Sequence, residues 1–382
     1  MSNTPSNACP DSLLAAWLEI ARRITGCRDD RTAIRHLESS AGLLSDTFTT
    51  GRESGFSSYR DNKKALAAYG LFFFPRTYVR TRMVMEECAA EWNANERPIR
   101  IVDVGAGTGA AGFAALQTLS TWMPNQQVHL DMVDCEMAGM DLARPVFNAG
   151  RELWPLASMK AVKANAQAYI PDAGVDLMLT SFAINEWMED KTPDKLHDWV
   201  TGNLAALRPG GWMIIMEPAL RTSVERMERL RDWIAAERIA RILAPCPHHQ
   251  PCPMLAEKRG WCHEVRTWKV PPSLRQINRA LQRDVHLLKF SFLALQKAPA
   301  KASGWTRLVS PVKKENGKFS CFGCGADGHV RAIEWLNRHL TPEQKDQSNQ
   351  LERGDRVDVP AGQLLGDGTT RRIDAPLRAL RR

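Results

Sequence analysis

No apolar run in this 382-residue chain approaches the roughly 20 residues that a bilayer-spanning helix needs. The first residues hold no basic stretch leading into an apolar core, and Asp11 and Glu19 come early. Neither a secretory nor a clear organellar leader is therefore expected, and no membrane partner. Internal repeats are missing, which sets solenoids and propellers aside. The C-x-x-x-C-x-x-C arrangement of radical adenosylmethionine enzymes is absent, so radical chemistry is not expected. So is the N-P-P-Y type of motif that serves amino-group methylation of bases. No His, Lys or Tyr stands out as the catalytic residue of a nicotinamide-dependent enzyme.

What remains has ordinary globular proportions, 44% hydrophobic and 25% charged. The length fits two domains, or one with substantial extensions. A net charge of +8 suits a nucleic-acid partner. Nine cysteines without a leader point to a reducing compartment, where clustered thiols bind metal more often than they pair.

The chain is organised around Ile101 to Gly112, I-V-D-V-G-A-G-T-G-A-A-G. Strand-type residues run into Gly105, Gly107 and Gly109, and a helical pattern follows. Glycines there let the backbone turn tightly and approach a ligand, while the next helix offers free N–H groups. The spacing also suits a dinucleotide, but Asp103 tilts it toward S-adenosylmethionine.

Residues 1 to about 95 read as a helical region, with Leu13–Ile24 amphipathic and one long helix over Lys63–Glu87. Phe72 to Phe74 are expected to pack this region onto the main domain. Arg76, Arg80 and Arg82 are spaced for one basic, solvated helix face, with RNA contact as the alternative. From Pro98, short apolar runs alternate with helical ones, the signature of a parallel α/β sheet. Strands are expected at Ile101–Val104, Val128–Val133, Met159–Lys163, Val175–Thr180 and Trp212–Met216. A helix, Leu196–Leu207, is expected to stop at R-P-G-G, and another to span Ser223–Leu243. The expected domains are a helical region 1–95, a binding domain 96–298 with a Cys-rich insertion at 244–263, and a small β-rich extension 299–382. The extension ends in a basic tail of Arg371, Arg372, Arg378, Arg381 and Arg382.

Ligands of open α/β sheets bind beyond the carboxyl ends of the strands. Asp134, or its neighbour Glu136, is placed there to accept from ribose hydroxyls, and Asn165 to read an adenine edge. Asp103 would orient the glycine loop or meet the methionine ammonium. A cap or turn is the plainer role for each, since Asn and Asp favour both. Asn185 and Glu186, after the fourth strand, are candidates on the acceptor side.

Cys246, Cys252 and Cys262 fall within 17 residues, rich in proline, with His248, His249 and His263 nearby. Thiolates favour zinc or iron–sulfur clusters over hard cations, and Cys321 or Cys324 can supply a fourth ligand. The histidines and the C-F-G-C sequence suit zinc; the long, irregular spacing suits a cluster.

E-P-A-L at 217–220, A-P-C-P-H-H-Q-P-C-P-M at 244–254, W-C-H at 261–263 and K-F-S-F at 289–292 resemble the small-ribosomal-subunit methyltransferase-like family, which has mitochondrial and bacterial members. The likeness covers about residues 60 to 330. It implies a class I methyltransferase-type, doubly wound α/β sheet, S-adenosylmethionine binding and a four-cysteine [4Fe-4S] cluster. It also implies association with the small ribosomal subunit and its rRNA, either to methylate that RNA or to assemble the subunit. The implied cluster ligands are Cys246, Cys252, Cys262 and Cys324, the last preceding a D-G turn. Off the ribosome a monomer is expected, in the cytoplasm of a bacterium or the mitochondrial matrix of a eukaryote.

Overall fold

A computed structural model describes residues 7–49, 62–93, 97–187, 192–256, 260–283, 286–301, 303–366 and 368–380. Arg381 and Arg382 lie outside the described residues, as do 50–61 of the expected helical region. The helices are α1 (Asp11–Thr25), α2 (Asp30–Thr49), α3 (Lys63–Phe72), α4 (Phe74–Cys88), α5 (Ala110–Trp122), α6 (Met137–Ala149), α7 (Ile184–Trp187), α8 (Pro193–Ala206), α9 (Arg221–Glu237), α10 (Pro253–Ala256), α11 (Pro272–Ala280) and α12 (Pro342–Asn349). Strands β1 (Ile99–Val104), β2 (Val128–Asp134), β3 (Ala157–Lys163), β4 (Val175–Ser181), β5 (Leu207–Glu217), β6 (Arg241–Ala244), β7 (Glu264–Thr267) and β8 (Leu287–Gln296) precede β9 (Thr306–Leu308), β10 (Lys313–Glu315), β11 (Lys318–Cys324), β12 (Val330–Leu336), β13 (Arg356–Asp358), β14 (Gly362–Leu364), β15 (Thr370–Ile373) and β16 (Arg378–Ala379).

Two compact units form. The first holds Met1–Ile184, Ala206–Arg208 and Thr267–Leu288. Its sheet runs β3-β2-β1-β4, all parallel, with Ile99 opposite Val128, Val128 opposite Ala157 and Ile101 opposite Leu177. Five of the six β1 residues and six of the seven in β4 are buried, as expected of strands covered on both faces. The N-terminal helices are fixed by an aromatic chain: Trp17 lies 5.6 Å from Phe74, Phe74 6.0 Å from Phe113, and Phe113 5.6 Å from Trp154. Gly70 makes room for it, since a Cβ there would stand 2.1 Å from the Trp17 ring.

Two expectations change in this unit. The single helix over Lys63–Glu87 is two, because Pro75 cannot donate a backbone hydrogen bond to the preceding turn and instead starts α4. The basic face of that helix is not solvated. Arg76 and Arg82 are buried, and the Arg76 guanidinium lies 3.7 Å above the Phe72 ring. Burial, with Arg80 and Arg283 adding to it, holds Arg76 well below the usual arginine range.

The second unit holds Asn185–Ala205, Pro209–Arg266 and Lys289–Arg382. Here β8 is antiparallel to β5, with Trp212 opposite Gln296 and Glu217 opposite Ser291, and antiparallel to β6. The expected helix to Leu243 stops at Glu237, because Arg238 takes a left-handed turn (φ 56°). The apolar run that follows joins β8 as β6: sheet pairing overrides helical pattern. The helix expected over Leu196–Leu207 runs from Pro193 to Ala206, and L-R-P-G-G, its expected stop, opens β5. The extension is an eight-stranded sheet in the order β14-β15-β12-β11-β9-β13-β16, with β10 on β11. Phe319, Ile333, Trp335 and Val357 fill its core.

Candidate functional site

The glycine loop joins β1 to α5. Gly105, Gly107 and Gly109 all have left-handed φ, at 75°, 51° and 80°, a region other residues avoid. Gly105 and Ala106 donate to the Val133 carbonyl at 2.8 and 3.0 Å, seating the loop on β2. A Cβ on Gly105 would lie 2.5 Å from that of Ala183, so the loop also packs against the residues after β4. There Phe182 has φ 60°, a conformation costing on the order of 1–3 kcal/mol that is most often held at working sites. The Arg80 guanidinium lies 4.9 Å over its ring. Phe182 carries no signal of its own in the sequence, and Arg80 reads there as part of a basic helix face; only the fold brings the two together.

The acidic candidates hold the loop itself. Asp134, at the end of β2, accepts from the Gly107 N–H at 2.9 Å and the Glu136 N–H at 3.1 Å. Asp103 is 1% exposed and accepts from Gly112 at 2.9 Å. Burial pushes its carboxyl up to about 7, the Gly112 N–H opposing and the Asp134 charge adding. Asp103 thus ties the end of β1 to the first turn of α5. Asn165 caps a turn, accepting from Gln167 at 3.0 Å. Tyr69, Phe73 and Thr77 of the N-terminal helices share a small cavity with Asp103, Gly105 and Ser181. Asn185 is 3% exposed, and its N–H donates to Glu217 at 3.1 Å, which sets it back from an acceptor.

The second site lies wholly in the second unit. Cys246, Cys252, Cys262 and Cys324 line one cavity of about 50 Å³, 62 to 78 residues separating the last from the others in sequence. Strand alternation explains why Cys324 and not Cys321 is there. Three positions apart on β11, they point to opposite faces, and Cys321 sits in the extension core with Phe319 and Trp335. The expected D-G turn approaches closely: a Cβ on Gly328 would lie 2.8 Å from Gln250.

One turn of α9 grips the insertion. Glu228 accepts from the Cys262 N–H at 2.8 Å and Asp232 from the Cys252 N–H at 2.9 Å. Arg231, 2% exposed, donates to the His248 carbonyl at 2.6 Å and to that of Gln250. Sequence reading missed these three, since an i, i+3, i+4 set of charges looks like any solvated helix face. His248 stands between Arg231 and Cys324, with Nδ1 3.1 Å from Arg231 and Nε2 3.4 Å from Cys324 Sγ. Burial and the Arg231 charge push its imidazole down to about 4. His249 is turned away, accepting from the Ile242 N–H at 3.1 Å. Buried ion pairs tie the extension to β7: Arg307 to Glu264 at 2.6 Å, and Arg266 to Asp355 at 2.6 Å.

Among the described residues, no two cysteines are joined in a disulfide. Burial raises the thiols of Cys252, Cys262 and Cys324, and the charge of Cys246 raises each further. Four thiols gathered in an apolar pocket form a donor set that a multivalent soft cation would stabilise. Among the described residues, no group of three or more His, Cys, Asp or Glu is arranged around a single ion. A four-iron cluster binds each thiolate at a different iron, so it fits donors ranged around a cavity.

The family model described as mitochondrial small ribosomal subunit Rsm22 matches residues 63–355, which span both the glycine loop and all four cysteines. The chain belongs to the Rsm22 family. The match confirms the resemblance carried by the Cys-Pro-His motif. A human relative, ribosome assembly protein METTL17, mitochondrial (Homo sapiens), is 23% identical over 253 residues, 64% of this chain and 52% of the human protein. The chain thus spans about half the length of that relative. Among solved structures, one described as a class I S-adenosylmethionine-dependent methyltransferase of Listeria monocytogenes is 12% identical, with TM-score 0.41, over 76% of this chain and 89% of its own. Phosphoethanolamine N-methyltransferase 2 of Haemonchus contortus is 15% identical, with TM-score 0.34, over 64% and 61%. The parallel β3-β2-β1-β4 sheet with its glycine loop gives this Rsm22-family chain a class I methyltransferase-like fold.

Proposed function

We propose that this protein assembles the small ribosomal subunit, carrying a [4Fe-4S] cluster on Cys246, Cys252, Cys262 and Cys324 and binding S-adenosylmethionine at the β1–α5 loop. The observation that carries the proposal is the convergence of three insertion cysteines and one distant extension cysteine on a single cavity in a chain of the Rsm22 family. A cluster there would pin the insertion to the extension and shape the surface presented to RNA. At the loop, Gly107 leaves the ligand's approach open, Gly105 and Gly109 let the loop pack closely on Ala183 and Phe113, and Asp134 and Asp103 fix the backbone that would cradle the ligand.

The assembly role is favoured over rRNA methylation by the buried Asn185 and by the missing acceptor motif. Methyl transfer itself asks mainly for alignment of sulfonium, methyl and acceptor, so the fold alone does not require it. The test is a strain lacking the protein, with small-subunit profiles and rRNA methylation mapped together. Accumulated immature subunits with unchanged methylation are expected. Loss of one specific methyl group would replace assembly with catalysis, and normal subunits would end both readings.

A further inference from the structure

The first unit holds a cleft of about 1100 Å³, away from the glycine loop, walled by the starts of α1 and α11 and the segment before α11. Helix α11 is strongly two-sided. Leu274 and Ile277 are buried, and Gln276 Nε2 donates to the Arg31 carbonyl of α2 at 3.1 Å. Arg275 and Arg279, one turn apart on the other side, are exposed, as is Lys269 just before the helix. None of these three cations has a carboxylate partner among the described residues. Arg283, next along the cleft, is paired with Asp46. Two carboxylates line the same space, Asp11 and Glu152, so the lining stays net positive.

Two further features add to that charge. Helices α1 and α11 both begin at the cleft, behind Pro10 and Pro271, and neither has a side-chain cap on its free N–H groups. Such ends attract phosphate. Exposed cations that other side chains do not neutralise are available to displace the counterions condensed on a nucleic acid's phosphates.

We infer that this cleft is a docking surface for the phosphodiester backbone of single-stranded RNA, with Lys269, Arg275 and Arg279 as its phosphate contacts. The inference rests on the ribosomal reading above and says which face meets the RNA. It replaces Arg76 and Arg82, whose burial withdraws them from that role.

The test measures binding of a labelled RNA of about 20 nucleotides by fluorescence anisotropy across a salt series. Three proteins are compared: the full chain, Arg275→Gln/Arg279→Gln, and Lys313→Gln/Lys314→Gln, which removes the same charge from exposed β10. Unchanged circular dichroism and melting temperature establish that each variant folds. Each lost phosphate contact should lower the slope of log K against log salt by about 0.7, roughly 1.4 for the α11 pair, with affinity down about twentyfold at 0.1 M salt. The β10 pair should lower it much less. Equal losses in both variants would show bulk charge and overturn the cleft, as would full affinity in the α11 variant. If the unaltered chain binds no RNA at all, the ribosomal reading falls with it.

Discussion

Asp103→Asn isolates the cost of holding a carboxylate under the glycine loop. In the unfolded chain this aspartate ionises near its ordinary value of 3.8; in the fold burial moves it to about 7. The folded state therefore binds more protons than the unfolded state between those two values. Stability from this group is fully present below about pH 4 and is lost as pH rises through 7. Between pH 5 and 8 the ionised side chain costs about two pKa units more in the fold, or roughly 3 kcal/mol. Asparagine carries no charge at either pH, and its Oδ1 can still accept from the Gly112 N–H that now meets Asp103 at 2.9 Å. The assay is thermal unfolding, followed by circular dichroism, of both proteins at pH 5 and pH 8. The variant should gain on the unaltered chain between these pH values by on the order of 5–10 °C. Parallel pH profiles for the two proteins would refute the buried, protonated Asp103.

Three further outcomes follow from the same geometry. Gly70→Ala puts a Cβ 2.1 Å from the Trp17 ring and should lower stability by about 1–3 kcal/mol, read as a lower urea midpoint with unchanged slope; an unchanged midpoint would mean the helices slide freely. Gly107→Asp forces a side chain onto a left-handed residue beside Asp134. It should abolish adenosylmethionine binding in calorimetry, and retained affinity would remove the loop from that role. Arg231→Met strips the buried His248 carbonyl and that of Gln250 of their donor and should cost about 3–5 kcal/mol, seen as a lower melting temperature. A melting temperature within a degree of the unaltered chain would show that α9 does not hold the insertion.

The parallel strands and the glycine loop were legible because short apolar runs and glycine punctuation are local signals. So was the cysteine insertion, whose prolines and thiols stand out of any context. Arg76, Arg80 and Arg82 were misread because a helical period says which residues share a face but not what covers that face. Here Phe72 and the aromatic chain cover it. Helix α9 was overextended because R-I-L-A suits helix or strand, and only pairing with β8 decides. Choosing between Cys321 and Cys324 needed the strand register of β11, and Glu228, Arg231 and Asp232 needed the insertion folded against them.

The central claim is a cluster on four named cysteines, and metal analysis of anaerobically purified protein tests it most directly. Iron and acid-labile sulfide in equal amounts, with broad absorption near 400 nm, are expected in the unaltered chain. They should persist in Cys321→Ser, whose thiol lies in the extension core, and be lost in Cys324→Ser. Zinc in place of iron, or loss from Cys321→Ser with retention in Cys324→Ser, would contradict it.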